Sequence, residues 1–204
     1  PAYDPDGNIV RNATYNVEAV KRRYNAWHTY EEEALALGCI SHEKIVEVMN
    51  ALPDIDQRTD KADIGCGTGL VAKAWRRQDM VGYDVSIGQV EIARASGRYA
   101  RVSELNINEY PLPKKYDLIT ACDLFNLTLA TADCLPNVAS SLKEGGLLIM
   151  TMPQHTGYHD EAGWQSQTSF ELVSETDEYV YCRGENSGNN KYHKIQTWRK
   201  INEQ

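Results

Sequence analysis

The sequence lacks the features that would place it in a membrane or outside the cell. Its 204 residues contain no run of about 20 apolar residues, so no membrane-spanning helix is predicted. No basic segment followed by an apolar one stands at the start, so we predict no signal peptide and a cytoplasmic protein. The five cysteines form no CxxC pair, which is typical of reduced intracellular thiols rather than of a disulfide framework.

An excess of basic charge is missing as well. The chain has 21 Lys and Arg against 29 Asp and Glu, a net charge of −8. Binding to nucleic acid or to an anionic membrane needs clustered Lys and Arg, so neither partner is expected. The hydrophobic content of 42% is that of an ordinary globular protein, and the length is that of about one domain. We therefore predict a single domain over residues 1–204.

Helical and strand patterns divide the chain into three parts. Apolar and aromatic residues at helical spacing predict one or two helices over residues 15–37, which end at Gly38. Ser41 is predicted to cap a further helix from His42 to Leu52. Short apolar segments then alternate with helical ones, the pattern of parallel βαβ units. The predicted strands are 61–64, 80–85, 99–105, 116–122 and 147–152. The helices between them are 70–78, 87–96, which Ser86 is predicted to cap, and 132–143.

The pattern changes after His155. Two β-rich segments, SFELVSETDEYVYCR and KYHKIQTWRKI, flank the turn-forming sequence GENSGNN, which predicts an antiparallel hairpin. The predicted organisation is thus a helical segment at 1–55, a parallel core at 60–155 and a hairpin at 156–204.

A glycine-rich loop, DIGCGTG (63–69), stands where the first strand of the core turns into a helix. Glycines let a backbone bend tightly and approach a ligand closely. Leu70 replaces the third small residue of a dinucleotide fingerprint, which argues against NAD or FAD, and no Gly-Lys-Ser/Thr follows as in a Walker A loop. Asp84 ends the second strand 19 residues after Gly65, where a carboxylate reaches ribose hydroxyls. Alone, Asp84 fits equally well a charge at a helix start beside Ser86; with the loop, it favours a nucleoside ligand.

The motifs DIGCGTG, GYDVS and LKEGGLLIMTMP, in this order, resemble those of class I S-adenosylmethionine-dependent methyltransferases over residues 60–155. The segment YNAWHTYEEEALALGCISHEKIVEVM resembles the lead-in of a narrower group, the methyltransferase-like proteins of the Williams–Beuren critical region and their bacterial relatives. The resemblance implies a Rossmann-like, doubly wound α/β fold. Its sheet is mostly parallel and seven-stranded, with a C-terminal antiparallel hairpin and an N-terminal helical lid. The implied cofactor is S-adenosyl-L-methionine.

The resemblance also implies roles along the cofactor. Asp63 would position the loop and the methionine amino group, Asp84 would bind the ribose hydroxyls, and Val85 would pack on the adenine. Asn106 stands where the family has an acidic residue contacting the adenine amine, and its carbonyl can accept that hydrogen bond. The remaining implied cofactor contacts are Gly65, Cys66, Gly67 and Gly69 in the loop, Ile107 beside Asn106, and Ala121 and Cys122 at the end of the fourth core strand.

Three N-terminal aromatic residues, Tyr24, Trp27 and Tyr30, are spaced by three and are predicted to share one helix face. One interpretation is a stripe that packs the helix on the sheet. The other, which the family lead-in supports, is a lid whose rings attract the cationic sulfonium. Asn25 and Glu31 stand after the two tyrosines, where the family has aspartates.

The acceptor side is expected beyond the carboxyl ends of the strands, in residues 121–127, 153–160 and the N-terminal helix. The candidates for acid–base chemistry are Asp123, His155, Tyr158 and His159, and no metal is predicted because the two histidines lack a third ligand. The fourth core strand ends in ACDLF, without the Asn/Asp-Pro-Pro-Tyr/Phe sequence typical of nucleobase amine methylation.

We therefore predict methyl transfer to a small-molecule acceptor by in-line displacement, in a monomer or homodimer. Two alternatives remain open at this point: a protein methyltransferase, and a non-catalytic module that only binds S-adenosylmethionine.

Overall fold

A computed structural model describes residues 2–3, 9–10, 16–126, 129–154, 161–182 and 191–201. Most of its strands form one central sheet. These are β3 (Lys61–Ile64), β4 (Met80–Asp84), β5 (Arg101–Glu104), β6 (Tyr116–Ala121), β7 (Leu142–Pro153), β8 (Phe170–Glu175), β9 (Tyr179–Cys182) and β10 (Lys191–Lys200). A separate two-stranded ribbon pairs β1 (Ala2–Tyr3) with β2 (Ile9–Val10).

The sheet has the order β5-β4-β3-β6-β7-β10-β8, with β9 also paired to β10. Strands β5 to β7 are parallel, whereas β10 runs antiparallel to β7, β8 and β9. This confirms the mostly parallel, Rossmann-like sheet with an antiparallel addition. Within the described residues the sheet has eight strands instead of the predicted seven, because the first arm of the hairpin is broken into β8 and β9. Thr176 fills the break and exchanges two hydrogen bonds with Ile195. The predicted GENSGNN turn lies outside the described residues.

Helices cover both faces of the sheet. They are α1 (Val17–Ala26), α2 (Tyr30–Ala36), α3 (Ser41–Ala51), α4 (Leu70–Trp75), α5 (Ile87–Ser96), α6 (Leu135–Ser140) and α7 (Glu161–Ser166), with a 3-10 turn at Ala132–Cys134. One buried cluster includes Ile45 and Trp75 and lies on the face covered by α3, α4 and α5. The other includes Val138 and Trp164 and lies on the face covered by α6 and α7. The sheet is therefore doubly wound, and none of the helices in the described ranges is long and apolar enough to cross a bilayer.

Three local predictions are wrong. Helix α4 ends at Trp75 rather than at residue 78, because Arg76 adopts a left-handed backbone with φ 63°. Ser41 is the first residue of α3 instead of its cap, and its Oγ accepts a hydrogen bond from Tyr179 Oη at 3.0 Å. The strand predicted from residue 147 begins at Leu142, because Gly145 and Gly146 lie in a bulge inside β7.

Candidate functional site

An open cavity lies at the carboxyl ends of β3, β4 and β6 and beneath the chain that joins α1 to α2. Its empty space, including the solvent at its mouth, is about 730 Å³. The predicted residues that line it are Tyr24, Tyr30, Gly65, Gly67, Asp84, Val85, Asn106, Ile107, Cys122 and Asp123. The fold thus brings together residues that are up to 99 positions apart in the sequence.

The glycine loop forms one wall of this cavity. Gly65 and Gly67 have φ values of 65° and 51°, in the left-handed region that favours glycine. A Cβ added to Gly65 would lie 2.8 Å from Leu124 Cδ1, so the loop packs tightly against the segment after β6. At Gly67 the nearest atoms, on Tyr30 and Gln89, are 4.0 Å from such a Cβ. Because Gly67 lines the cavity, a side chain there would occupy ligand space.

Asp84 joins the glycine loop to the next helix. Its Oδ2 accepts a hydrogen bond from the Gly67 N–H at 2.8 Å, and its Oδ1 accepts one from the Ser86 N–H at 2.8 Å. Burial raises the pKa of this carboxyl despite these bonds. A carboxylate has about four acceptor positions, so two N–H donors leave capacity for a ligand's hydroxyls. Asp84 thus lies at a helix start and also lines the cavity, and its binding of a nucleoside stays a prediction.

Asp63 does not line the cavity, unlike Asp84. It is buried under the loop, where the hydroxyls of Tyr99 and Thr120 donate to its two oxygens. Burial raises the pKa of its carboxyl to about 7, although both hydrogen bonds favour the charged form. A Cβ on Gly69 would lie 3.0 Å from the Tyr99 ring. Asp63 thus supports the loop from below through Tyr99, a residue that no sequence signal singled out.

The raised pKa of Asp63 predicts a pH-dependent stability. Its folded-state pKa of about 7 exceeds the value of about 3.9 expected in an unfolded chain, so the folded protein holds more protons between these pH values. The contribution of Asp63 to stability should therefore fall as pH rises from about 4 to about 7. Urea unfolding of the wild type and of Asp63→Asn over this range measures it. Parallel pH curves for the two proteins would contradict the prediction.

Four other predicted residues also fail to line the cavity. Cys66 points toward β4, where its Sγ lies 2.9 Å from a Cβ built on Gly82, and burial raises the pKa of its thiol. Gly69 precedes α4, and Ala121 is wholly buried at the end of β6. Trp27 packs against other aromatic rings. The side chains of these four residues are therefore not placed to contact a ligand in the cavity.

The aromatic cluster is built differently from the prediction. Because α1 ends at Ala26 and Tyr30 begins α2, the three rings do not share one helix face. They meet across the connection instead, with ring centroids of Tyr24, Trp27 and Tyr30 5.0–6.0 Å apart. Helix α1 has no buried residue and contacts α5, so it does not pack its stripe on the sheet. Tyr24 and Tyr30 line the cavity, in the position of a cover.

Polar clamps hold this cover on the core. Asn25 Oδ1 accepts hydrogen bonds from Ser86 Oγ at 2.7 Å and from the Gly88 N–H at 3.0 Å. The Gln89 amide donates to the carbonyl oxygens of Tyr24 and Trp27. No sequence pattern indicated Gln89, because a buried glutamine on a helix has the same local pattern as an exposed one.

A charged clamp fixes α2 to the core. Glu31 pairs with Lys73 at 2.7 Å and with Arg98 at 2.8 Å. Burial alone would raise the pKa of Glu31, yet hydrogen bonds from Arg98 and Lys73 lower it to about 2. Glu31 is therefore ionised at neutral pH and holds the segment that carries Tyr30.

Substituting Gly88 is expected to push the cover away. A Cβ at Gly88 would lie 2.8 Å from the Asn25 carbonyl oxygen and 2.9 Å from its Cα, so backbone must move. Gly88→Ala should cost about 1–3 kcal/mol of overpacking and loosen α1. Hydrogen exchange should then speed up at amides of Val17–Ala26 while amides of Tyr116–Ala121 keep their wild-type protection. Unchanged exchange in α1 would contradict the clamp.

The adenine-side candidates, Asn106 and Ile107, both line the cavity. The Asn106 carbonyl accepts from the Asn108 N–H at 3.2 Å, and its amide donates to Glu109 at 2.8 Å. This network fixes the turn after β5. The Asn106 carbonyl also accepts from the Asn108 side-chain amide at 3.4 Å.

Of the acid–base candidates, only Asp123 lies in the described residues; His155, Tyr158 and His159 fall outside them. Asp123 lines the cavity, and its N–H donates to Thr151 Oγ1 at 2.7 Å. Its Oδ1 lies 3.1 Å from Nδ1 of His193, a residue of β10 that the sequence did not indicate. Among the described residues no cluster of three or more His, Cys, Asp or Glu side chains is arranged to hold a metal.

Comparisons with known proteins agree with this geometry. Residues 62–148 match the family described as "Methyltransferase domain". A trans-aconitate 2-methyltransferase of Afipia carboxidovorans is 28% identical over 113 residues, covering 53% of this chain and 44% of the relative. The human methyltransferase-like protein 27 is 29% identical over 128 residues, covering 60% of this chain and 49% of the relative. The matched segment thus spans about half the length of these curated relatives or less.

Solved structures share the fold over nearly the whole chain. The cyclase SpnF superposes with a TM-score of 0.71 at 16% identity, covering 93% of this chain and 98% of that one. Magnesium protoporphyrin IX methyltransferase from Synechocystis PCC 6803, solved with bound S-adenosylmethionine, has a TM-score of 0.65 at 17% identity, with coverages of 93% and 99%. At identities this low, the superpositions establish a common fold and nothing more. A cyclase and a methyltransferase both have this fold.

Proposed function

We propose that the protein is a class I methyltransferase, the type that uses S-adenosylmethionine, and that it transfers the cofactor's methyl group to a small molecule; the match of residues 62–148 to the methyltransferase domain family supports this. The observation that carries the proposal is the shared cavity. The cavity lies at the carboxyl edge of the parallel strands. It is lined by Gly65 and Gly67, by Asp84, and by Tyr24 and Tyr30. Ligands of open α/β sheets bind at this edge.

The cofactor is proposed to lie along the glycine loop. Asp84 would accept hydrogen bonds from the two ribose hydroxyls, since its oxygens keep lone pairs beyond those used by the Gly67 and Ser86 N–H groups. Val85, Asn106 and Ile107 line the part proposed for adenine. The methionine end would then lie toward Gly65 and Cys122, with Asp63 supporting the loop without touching the ligand.

The aromatic cover fits the charged end of this cofactor. Tyr24 and Tyr30 line the cavity, and aromatic faces attract a cation such as a sulfonium. The clamps from Asn25, Gln89 and Glu31 keep these rings in place. We propose that residues 1–55 act as the lid of a single-domain enzyme over residues 1–204.

The protein's part in the reaction is mainly positioning. A sulfonium already carries a good leaving group, so holding nucleophile, methyl carbon and sulfur in line supplies most of the acceleration, up to about 7–11 kcal/mol. A cavity closed by aromatic rings restricts the approach of the acceptor to one side. The names of relatives, which include methyltransferases of trans-aconitate and of magnesium protoporphyrin IX, support a small-molecule acceptor.

Transfer of a labelled methyl group tests this proposal. The protein is incubated with methyl-tritiated S-adenosylmethionine and, separately, with a small-molecule filtrate and with the retained proteins of a cell extract. We expect S-adenosylhomocysteine and label in the filtrate products, and neither with Gly67→Val protein. Label on the retained proteins alone would indicate a protein methyltransferase. Tight cofactor binding without any transfer would indicate a non-catalytic module.

A further inference from the structure

We propose that Asp123, positioned by His193, takes the proton from the methyl acceptor, and that the acceptor is a neutral or cationic hydroxyl or amine compound. This inference rests on the proposed function, because it concerns the acceptor end of the same cavity. It excludes acceptors that are methylated on a carboxylate, since a carboxylate has no proton to lose and carries the same charge as Asp123.

The backbone of Asp123 is held in an unusual conformation. Its φ of 55° lies in the left-handed region, which an aspartate adopts at a cost. The buried Thr151 hydroxyl fixes it by accepting from the Asp123 N–H at 2.7 Å. This conformation ends β6 and leaves the Asp123 side chain on the cavity wall, next to Leu124, which packs against Gly65. Strain of this kind is typical of functional sites.

His193 is buried next to Asp123, and an aromatic ring packs against one face of its imidazole. It is 3% exposed, and the Tyr181 ring stacks on it with centroids 3.7 Å apart and planes 14° apart. The Tyr179 ring lies nearly perpendicular to the imidazole, with ring centroids 6.3 Å apart. The stacking fixes the plane of the imidazole, so its Nδ1 stays 3.1 Å from Asp123 Oδ1. His193 does not line the cavity, so we assign it a positioning role.

Neither of these two facing atoms has a hydrogen bond to another residue that the structure describes. Asp123 Oδ1 and His193 Nδ1 are both buried polar atoms without an aligned hydrogen bond, although they are 3.1 Å apart. Leaving such atoms unpaired is costly, and in folded proteins they are usually satisfied. A small rotation of the carboxylate aligns the pair, and an acceptor O–H or N–H supplies a donor to the carboxylate from the cavity side. The pair is therefore arranged for a protic ligand.

The charge of the cavity points the same way. Its described lining residues include two carboxylates, Asp84 and Asp123, and none of those lining residues is a lysine or arginine. An anionic acceptor would find no lysine or arginine among these described lining residues and would meet Asp123 directly. Cys122 does not compete as a nucleophile, because burial and then the charge of Asp123 raise the pKa of its thiol and keep it protonated.

The proton and electron balance of the proposed step is simple. The acceptor's O–H or N–H bond breaks, and its proton passes to the Asp123 carboxylate. A lone pair on that oxygen or nitrogen forms the new bond to the methyl carbon, while the electrons of the carbon–sulfur bond stay on sulfur. The cationic cofactor becomes neutral S-adenosylhomocysteine, and no further reactant is required.

Three probes of matched shape test the charge preference: benzylamine, benzyl alcohol and benzoate. Each is titrated by calorimetry into protein saturated with S-adenosylhomocysteine. We expect the amine and the alcohol to bind about tenfold or more tightly than benzoate, because like charges placed together disfavour binding. Asp123→Asn should remove most of this discrimination. Benzoate binding as tightly as the alcohol, or no binding of any probe by a complex that holds S-adenosylhomocysteine, would overturn the inference.

Two variants at His193 test its positioning role. Asn retains an N–H donor near the Nδ1 position, whereas Ala removes it, and both lose the stacking on Tyr181. We expect His193→Asn to keep the probe discrimination and His193→Ala to lose it. In the wild type, nitrogen-15 spectra should show the ring proton on Nδ1, and Asp123→Asn should change that signal. Equal behaviour of the two His193 variants would overturn the role. Failure to bind S-adenosylhomocysteine at all would instead contradict the proposed function.

Discussion

Replacing Asp84 by alanine is expected to weaken S-adenosylmethionine binding by about 100-fold or more. Hydrogen bonds to a charged group contribute about 1.5–3 kcal/mol each, and two ribose hydroxyls are proposed to bind this carboxylate. At 1.4 kcal/mol per factor of ten, losing both corresponds to at least about two orders of magnitude. The substitution also frees the Gly67 N–H that Asp84 accepts at 2.8 Å, so the loop loses one of its fixed points. Calorimetric titration of the purified variant measures the effect.

Loss of affinity must be separated from loss of fold. Burial raises the pKa of the Asp84 carboxyl, which means that its charge is not favoured by the folded protein without ligand. Asp84→Asn, which keeps the side-chain volume and one acceptor oxygen, should therefore unfold near the wild-type midpoint while still binding cofactor poorly. Wild-type affinity in both Asp84 variants would contradict the ribose assignment.

Valine at position 67 is expected to abolish measurable cofactor binding. The Gly67 backbone has φ 51°, and a Cβ there would point between Tyr30 and Gln89 into the cavity. A branched side chain would fill the space next to the ligand and would also be strained, because a left-handed backbone costs an L-residue about 1–2 kcal/mol. The strain lowers stability moderately, whereas the blocked space prevents binding. Titration with S-adenosylhomocysteine distinguishes the two effects.

Gly97→Val is the matched control for this substitution. Gly97 ends α5 with φ 66°, and a Cβ there has no atom within 4 Å. The same backbone strain therefore arises at a position that does not line the cavity. We expect Gly97→Val to lose similar stability yet to bind cofactor normally. Similar loss of binding in both variants would show that strain, and not the occupied space, explains Gly67→Val.

Local patterns predicted most of the parallel core. The strand Lys61–Ile64 and the Ser86 cap of α5 were predicted at their observed positions, because apolar runs and capping side chains act over a few residues. The loop glycines and Asp84 were predicted to lie near one another since parallel strands end at one edge. These features depend on spacing along the chain, which the sequence displays directly.

Features that depend on tertiary packing were not predictable in the same way. The aromatic residues were assigned to one helix, but the chain breaks after Ala26 and the rings meet across that break. Asp63 was expected at the ligand, whereas Tyr99 and Thr120, distant in sequence, bind both of its oxygens. His193 comes 70 positions after Asp123, from an antiparallel strand inserted beside β7. No local pattern records such a neighbour.

Thermal unfolding of the wild-type protein with S-adenosylhomocysteine, S-adenosylmethionine or NAD tests the central claim, that the cavity is a sulfur-nucleoside site. A ligand at about 100 times its Kd that binds only the folded state adds roughly 2.7 kcal/mol. For a chain of this size the midpoint should rise by about 5–10 °C with either sulfur nucleoside and stay unchanged with NAD. A rise with NAD alone, or no rise with any of the three, would contradict the account.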